Sequence, residues 1–191
     1  AMTYKEVKAL LTKLLDMGHY SALEHASFTF GVEGISRACS HQFVRHRIAS
    51  FSQKSQRYVT EDGGFDLVMP DSIRDSAHPG RFKGLMAKIT DVYELLIKDG
   101  VPAEDARFVL PNACETKLVV TMNARELMHL FSKRCCNRAQ WEMREVAIQM
   151  FEAAINVAPV LFSRTGPGCL HGDCPEKDMT CNMPVDSRLY E

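Results

Sequence analysis

"VRHRIASFSQKSQRYV", residues 44–59, sets Arg45, Arg47, Lys54 and Arg57 among Ser50, Ser52, Ser55 and Gln53, with His46 between two arginines. The chain around it is nearly neutral, 191 residues with a formal charge of −1. Cation and hydroxyl gathered in one place in such a chain point to a local anion site. Guanidinium forks match phosphate geometry and stay charged at any working pH. Serine hydroxyls and backbone N–H groups can complete the cradle. The two arginines push His46 toward its neutral form. The plain alternative is a solvated basic loop. Against it, Val44, Ile48, Ala49 and Phe51 interleave with the charges and anchor the segment.

The totals narrow the classes open to this chain. Its length suits one domain with a sizeable core. Hydrophobic content of 46% and charged content of 25% describe an ordinary globular protein. The near-zero net charge counts against a general polyanion binder, which carries a basic surplus. An RNA-binding module built on residues 45–57 is therefore the weaker of two readings. No apolar run reaches the roughly 18 residues of a membrane span. The start, "AMTYKEVKALLTKLLDMGHY", is amphipathic and lacks the apolar stretch of a signal peptide. Seven cysteines, two of them adjacent at Cys135 and Cys136, argue against a disulfide framework and for a reducing cytoplasm.

Outward from the basic segment, periodicity predicts mostly helices with a few separated strands. Val7, Leu10, Leu11, Leu14 and Leu15 predict an amphipathic helix over 4–17, stopped by Gly18. "ASFTFGVEG" (26–34) reads as a strand entering a turn. Residues 35–47 read as a helix that delivers the basic cluster at its C-terminal end, where cations suit the dipole. "FDLVMP" (65–70) reads as a short strand. Residues 81–100 read as a helix with Leu85, Ile89, Val92, Leu95 and Leu96 as its apolar stripe. A helical segment follows over 102–111, opened by Pro102 with Glu104 and Asp105 near its start. Then come a strand over 116–122, a helix over 123–136 with Asn123 as N-cap, and a helix over 139–162. The tail 163–191 loses periodicity. Gly-rich phosphate loops are absent, so a bound nucleotide is held mainly by side chains.

Other clusters carry weaker signals. Arg125 and His129 lie one turn apart and share a helix face. Arg134, two and a half turns beyond Arg125, faces elsewhere, so one helix can serve two sites. His19, Ser21, Glu24 and His25 form a polar loop ahead of a strand. Arg107 can snorkel from its short helix. Cys169, His171, Cys174 and Cys181 are legitimate zinc ligand types, but their spacing departs from the paired arrangement, and a tail carrying reduced thiols is the preferred reading. No metal site is expected. Serine catalysis has no nucleophile elbow to support it. Cys39 and Cys114 sit in apolar surroundings and read as buried structural thiols.

Arg-His-Arg, seven residues, then Ser, continuing as Ser55-Gln56-Arg57-Tyr58, resembles the signature of the flavin-dependent thymidylate synthases. "GHYSALEH", "GVPAEDARFVLP", "TMNARELMHLFSKR" and "AQWE" occur in the order that family uses, and the resemblance runs from about residue 17 to about 162. It implies an α/β fold in a single domain, a twisted, mainly antiparallel sheet with flanking helices, spanning residues 1–162 ahead of the tail. It implies reductive methylation of dUMP to dTMP, with methylenetetrahydrofolate as carbon donor, reduced FAD as hydride carrier and NADPH as reductant. It also implies a homotetramer with shared active sites, with neither nucleic acid nor membrane as partner. The family has a strand and a short cofactor-reaching segment ahead of the first helix here; this sequence starts at about that helix.

Carried over by position, the resemblance places Ser21, Arg45, His46, Arg47, Gln53, Asn123, Ala124, Arg125 and His129 at the flavin. His19 and Glu24 line the same region. It places Gln42, Phe43, Val44, Arg45, Gln53, Lys54, Ser55, Gln56, Arg57, Arg107 and Arg134 at the deoxyuridylate. Arg134 corresponds to the catalytic residue assigned to ionisation of the uracil ring. A guanidinium keeps its proton and cannot serve as a neutral base, so its part is that of a fixed cation beside developing negative charge. Ser55 has no activating base within the motif and reads as a phosphate or sugar ligand. Gln53 stands where the family often has Glu, and His129 where Asn is also seen; both keep hydrogen-bonding ability.

Overall fold

The computed structural model describes residues 1–59 and 64–185. The chain divides into two compact units. The first comprises Ala1–Phe30, Arg45–Ser50 and the described residues from Val120 on; the second comprises Gly31–Val44 and the described part of Phe51–Val119. Residue 162 is no boundary between them, because the described tail belongs with the first unit. The three strands, β1 (Ser27–Ser36), β2 (Ala49–Gln53) and β3 (Glu115–Asn123), form one antiparallel sheet in the order β1-β3-β2. Each strand has residues in both units.

The first unit is built from helices with strong local start signals. Thr3 and Glu6 form a reciprocal capping box at the head of α1 (Tyr4–Asp16). Gly18, at φ +69°, supplies the left-handed turn that follows. Asn123 caps α6 (Ala124–Arg134), its side-chain oxygen accepting the Glu126 N–H at 2.9 Å. Gln140 does the same for α7 (Trp141–Val157) through the Met143 N–H. The helix expected over 139–162 is in fact two. Ala158 leaves helical geometry, and Pro159, lacking an N–H, opens the short α8 (Pro159–Phe162).

Helical periodicity then makes the core. Leu127, Leu130 and Phe131 of α6 recur at three and four residues, and so do Met143, Ala147, Met150, Phe151 and Ala154 of α7; all are buried. Phe131 sits at the junction, edge-on to Phe151 at 5.4 Å and to Phe162 at 5.8 Å. At the strand ends in this unit, Thr29 bonds Thr121 at 2.9 Å and the Ala124 N–H donates to the Ala26 carbonyl. The start of α6 is thereby tied to the start of β1.

In the second unit, α2 (Arg37–Phe43) is capped by Ser36 and stops at Val44. The helix expected over 35–47 is shorter at both ends, since Ile35 and Ser36 close β1 and residues 44–47 lie beyond the helix, and β2 follows where no strand was expected. Three consecutive like-charged or polar positions and the β-branched Ile48 do not favour another helical turn. From Ala49 to Gln53 exposed Ser50 and Ser52 alternate with half-buried Phe51 and Gln53, the period of a strand. β3 shows the same period strictly, with Thr116, Leu118, Val120 and Met122 inward. The expected strand at 65–70 reduces to one antiparallel bridge, Leu67 with Cys114. A four-residue helix, α3 (Asp71–Arg74), was not foreseen, being too short for periodicity to register. In α4 (Pro79–Lys98) the buried residues are Met86 and Tyr93, while Leu85, Val92 and Leu95 of the expected stripe lie exposed. The segment after Pro102 is α5 (Ala103–Ala106) running into a 3-10 turn, Arg107–Val109.

Among the described residues no helix is long and apolar enough to cross a membrane. All seven cysteines are free thiols. Phe131→Ala removes the aromatic junction of α6, α7 and α8, and should cost about 3–5 kcal/mol of stability, read as a lowered urea midpoint.

Candidate functional site

One face of α6 carries Glu126, His129, Ser132 and Lys133 at helical spacing, with Cys136 continuing the row just past its end. These residues form one wall of a cavity of about 640 Å³. The second wall is the Arg45–Ile48 stretch that joins α2 to β2. The third comes from the tail: Pro167 to Cys169 and Cys174 to Glu176. The first unit supplies all three.

At the back of the cavity His46 is buried between two partners. Its Nδ1 lies 3.1 Å from Glu126 Oε1, and its Nε2 lies 3.1 Å from Arg134 Nε. An arginine Nε carries a hydrogen and can only donate. His46 Nε2 must therefore accept, so the ring proton resides on Nδ1 and is donated to Glu126. Protonating Nε2 would set two N–H groups against each other. Burial holds the His46 imidazole below its usual pKa. The Glu126 carboxylate opposes that depression; the Arg134 cation and His129, whose ring centroid is 6.0 Å away, add to it. The neutral imidazole expected from the sequence is thus present, but burial and Arg134 cause it rather than the flanking Arg45 and Arg47.

The cavity is strongly cationic. Arg45, Arg47, Lys133, Arg134 and Arg138 line it against the carboxylates of Glu126 and Glu176. Glu126 is engaged with His46. Glu176 faces Arg138 at 3.7 Å, and Arg138 also donates to the Met179 carbonyl. Among the described residues Arg45, Arg47 and Lys133 have no carboxylate within ion-pair reach. Three cations without counter-ions around one cavity suit a phosphate-bearing ligand.

The expected site residues divide between the units. Arg45, His46, Arg47, His129 and Arg134 line this cavity. Ser21 lies exposed on the 3-10 turn Tyr20–His25, and Arg125 pairs with Glu24 of that turn. Asn123 is engaged as a cap. Ala124 is fully buried and its N–H is bound to Ala26, so it has neither side chain nor donor free. Gln42, Phe43, Val44, Gln53, Lys54, Ser55, Gln56, Arg57 and Arg107 belong to the second unit. There Gln53 Nε2 donates to Ser40 and Thr116 hydroxyls, Gln56 Nε2 to Cys114 Sγ, and Arg107 Nε to the Glu104 carbonyl. Arg57 pairs with Glu104, and Ser55 Oγ accepts the Arg57 N–H at 3.2 Å. Phe43 is fully buried, edge-on to Phe51, and leaves only its backbone for a ligand. Lys54 lies along the sheet with Glu33, Asp66 and Glu115.

Sequence reasoning missed Glu126, Lys133 and the tail. The first two were legible, since they fall in helical register with His129. The tail carried no such signal: it is held by bonds from Asn137 and Arg138 and by a close contact within itself. A Cβ at Gly168 would lie 2.7 and 2.8 Å from the Pro175 ring, so the two arms of the tail touch at a residue without a side chain. Cys169 and Cys174, beside that contact, face the cavity. Among the described residues no group of three or more His, Cys, Asp or Glu is disposed to hold a metal ion.

Two outcomes follow from this geometry. His46 resists protonation when folded, so below about pH 6.5 the unfolded chain binds the extra proton. Its stability contribution is constant above that value and falls as pH drops toward the folded pKa. Urea unfolding from pH 8 to 5 should therefore show a steeper acid loss in the wild type than in His46→Gln. Gly168→Ala should part the two arms of the tail. Amide exchange across 168–176 should accelerate while that of α6 is unchanged.

A sequence profile of the family described as "Thymidylate synthase complementing protein" matches residues 1–160. A protein of Geobacter sulfurreducens named "Flavin-dependent thymidylate synthase" is 58% identical over 99% of this chain and 83% of its own length. One of Clostridium tetani with the same name is 42% identical over 98% of this chain and 82% of its own length. One of Pyrococcus furiosus, again so named, is 47% identical over 91% of this chain and 75% of its own length. The signature around Arg45–Arg57 is thus part of a likeness that extends through the whole chain, and the chain belongs to the flavin-dependent thymidylate synthase family.

Proposed function

We propose that the chain converts dUMP to dTMP, taking the one-carbon unit from methylenetetrahydrofolate and the hydride from reduced FAD, with NADPH re-reducing the flavin. The observation that carries this beyond family membership is the cavity in which Arg45, Arg47 and Lys133 lack counter-ions while Arg134 is held by a neutral His46. The donor set fits a polyanionic cofactor and a nucleotide monophosphate: the guanidinium groups, the Lys133 ammonium and the His129 imidazole, with the His46 ring beside them.

In this reading Arg45, His46, Arg47 and His129 hold FAD, with Ser21, Gln53, Asn123 and Arg125 completing its contacts, while Ala124, its N–H bound to Ala26, fixes the start of the helix between them. Bound reduced flavin supplies the hydride; the protein's task is to bind, orient and exclude water. Gln42, Phe43 and Val44, the latter two through their backbone, Lys54, Ser55, Gln56, Arg57 and Arg107 hold the nucleotide. Ser55 positions rather than attacks, in keeping with a hydroxyl that accepts from its own loop and has no base beside it. Arg134 stands beside the uracil ring. Carbon 5 is a poor nucleophile until negative charge builds in the ring, and a permanent cation lowers the energy of that charged form without exchanging a proton.

The active form is a cytoplasmic homotetramer with shared sites. Exposed apolar residues support the assembly: Val7 and Leu10 on α1, and Leu85, Val92 and Leu95 on α4. An RNA-binding reading gains nothing from the structure, since the basic segment is broken by a strand and Arg57 is neutralised by Glu104.

The visible spectrum of the purified protein is the first test. Absorption near about 450 nm that shifts on adding dUMP is expected of a flavoprotein whose nucleotide site adjoins the cofactor. A colourless protein that takes up no added FAD would sink the reading. Arg134→Ala should retain flavin absorbance yet lower kcat by roughly 10²–10³, the scale of removing one preorganised electrostatic group. A variant that loses FAD but turns over normally in excess cofactor contradicts that role.

A further inference from the structure

Glu126 is the one acid of the α6 face that lines the cavity, and it is buried. A carboxylate placed there next to five cations could be read as a simple counter-charge. The geometry says more. Its Oε1 meets a ring nitrogen of His46, and the opposite ring nitrogen meets Arg134 Nε. The three side chains form one directed chain of hydrogen bonds, donated from Arg134 to His46 and from His46 to Glu126. Among the described residues the two terminal nitrogens of Arg134 have no hydrogen-bond partner, and the residue lines the cavity.

We propose that Glu126 is a positioning residue for Arg134: by accepting the Nδ1–H of His46 it fixes the ring in the tautomer whose Nε2 takes the Arg134 Nε–H, which sets the plane of the guanidinium and points its terminal N–H groups at the ligand. An arginine side chain turns freely about its last bonds, and anchoring Nε removes that freedom while leaving four N–H donors available. Without the acceptor, the His46 proton is free to move to Nε2, where it opposes the Arg134 N–H. The guanidinium then loses its seat although every cation is still present. Orienting a functional group through the far nitrogen of an imidazole is the same device that sets ligand geometry in metal sites and general bases. The inference rests on the reading of Arg134 as the cation beside the uracil ring.

The test uses the full chain with nitrogen-15-labelled histidine and two variants. In the resting wild type His46 should show the neutral pattern with the proton on Nδ1. Glu126→Ala should lose that pattern and drop kcat by about tenfold or more, with KM for dUMP changed less and flavin absorbance kept. Glu126→Gln still offers an oxygen to Nδ1–H, so it should restore both the tautomer and most of kcat. Three results overturn the proposal: Glu126→Ala keeping the Nδ1–H pattern, Glu126→Ala losing it with kcat unchanged, or Glu126→Gln failing as badly as Glu126→Ala. The last would show that the charge matters and the acceptor does not. Should Glu126→Ala fail to fold, Glu126→Gln and the wild-type spectrum still decide. A wild type without dUMP methylation defeats the functional reading, while the tautomer comparison, which needs no substrate, judges the Glu126 chain by itself.

Discussion

An arginine N–H can be given and cannot be taken, and the site is organised around that one-way bond. Because Arg134 must donate, His46 must accept. Because His46 is buried and neutral, its single proton goes to Glu126. Because Glu126 accepts that N–H, its carboxylate is directed at His46 and, among the described residues, lies outside ion-pair reach of Arg45, Arg47 and Lys133. The cavity stays cationic because five basic side chains line it against two carboxylates, one directed at His46 and the other at Arg138. Had Glu126 turned outward, it would have paired with one of those cations and left the buried Nδ1–H of His46 without an acceptor, at a cost of about 1–3 kcal/mol for the unmet hydrogen bond alone.

Helix α6 makes this arrangement possible because its two faces have different tasks. Leu127, Leu130 and Phe131 fasten it to α7 and α8. Glu126, His129 and Lys133 look into the cavity from the other side. The cap at Asn123 and the backbone bond from Ala124 to Ala26 fix where the helix starts, and so the height of each side chain along it. A cavity-lining row carried on a helix locked by an aromatic junction keeps its geometry better than a row on a loop.

Much of this was legible in the sequence, and the parts that were not share a cause. Strong periodicity gave α1, α4, α6, α7 and β3 nearly to their ends, and the Arg-His-Arg signature led to the family. Arg45, His46, Arg47, His129 and Arg134 were placed at the site by the family resemblance, and the structure lines one cavity with them. What escaped were features decided by neighbours distant in the chain. β2 lies inside a segment whose charge masks its alternation. The exposed side of α4 carries the larger aliphatics, so the stripe was assigned to the wrong face. Glu126 looked like an ordinary acid in the first turn of a helix, where the dipole favours one; only its pairing with a histidine eighty positions earlier gives it meaning. The tail offered no period at all: its contacts are a glycine meeting a proline ring and polar bonds from Asn137 and Arg138, none of which leaves a repeat in the sequence.

The tail wall has a consequence for how the protein comes into being. Residues 167–176 follow every other lining residue in chain order. Translation at about 5–20 residues per second delivers them some seconds after Arg134 has emerged. During that interval the nascent chain displays its arginines without their enclosure, and the cavity takes its final outline only as the last wall arrives. The cavity is therefore enclosed late, after the helices that carry its other walls have had time to pack.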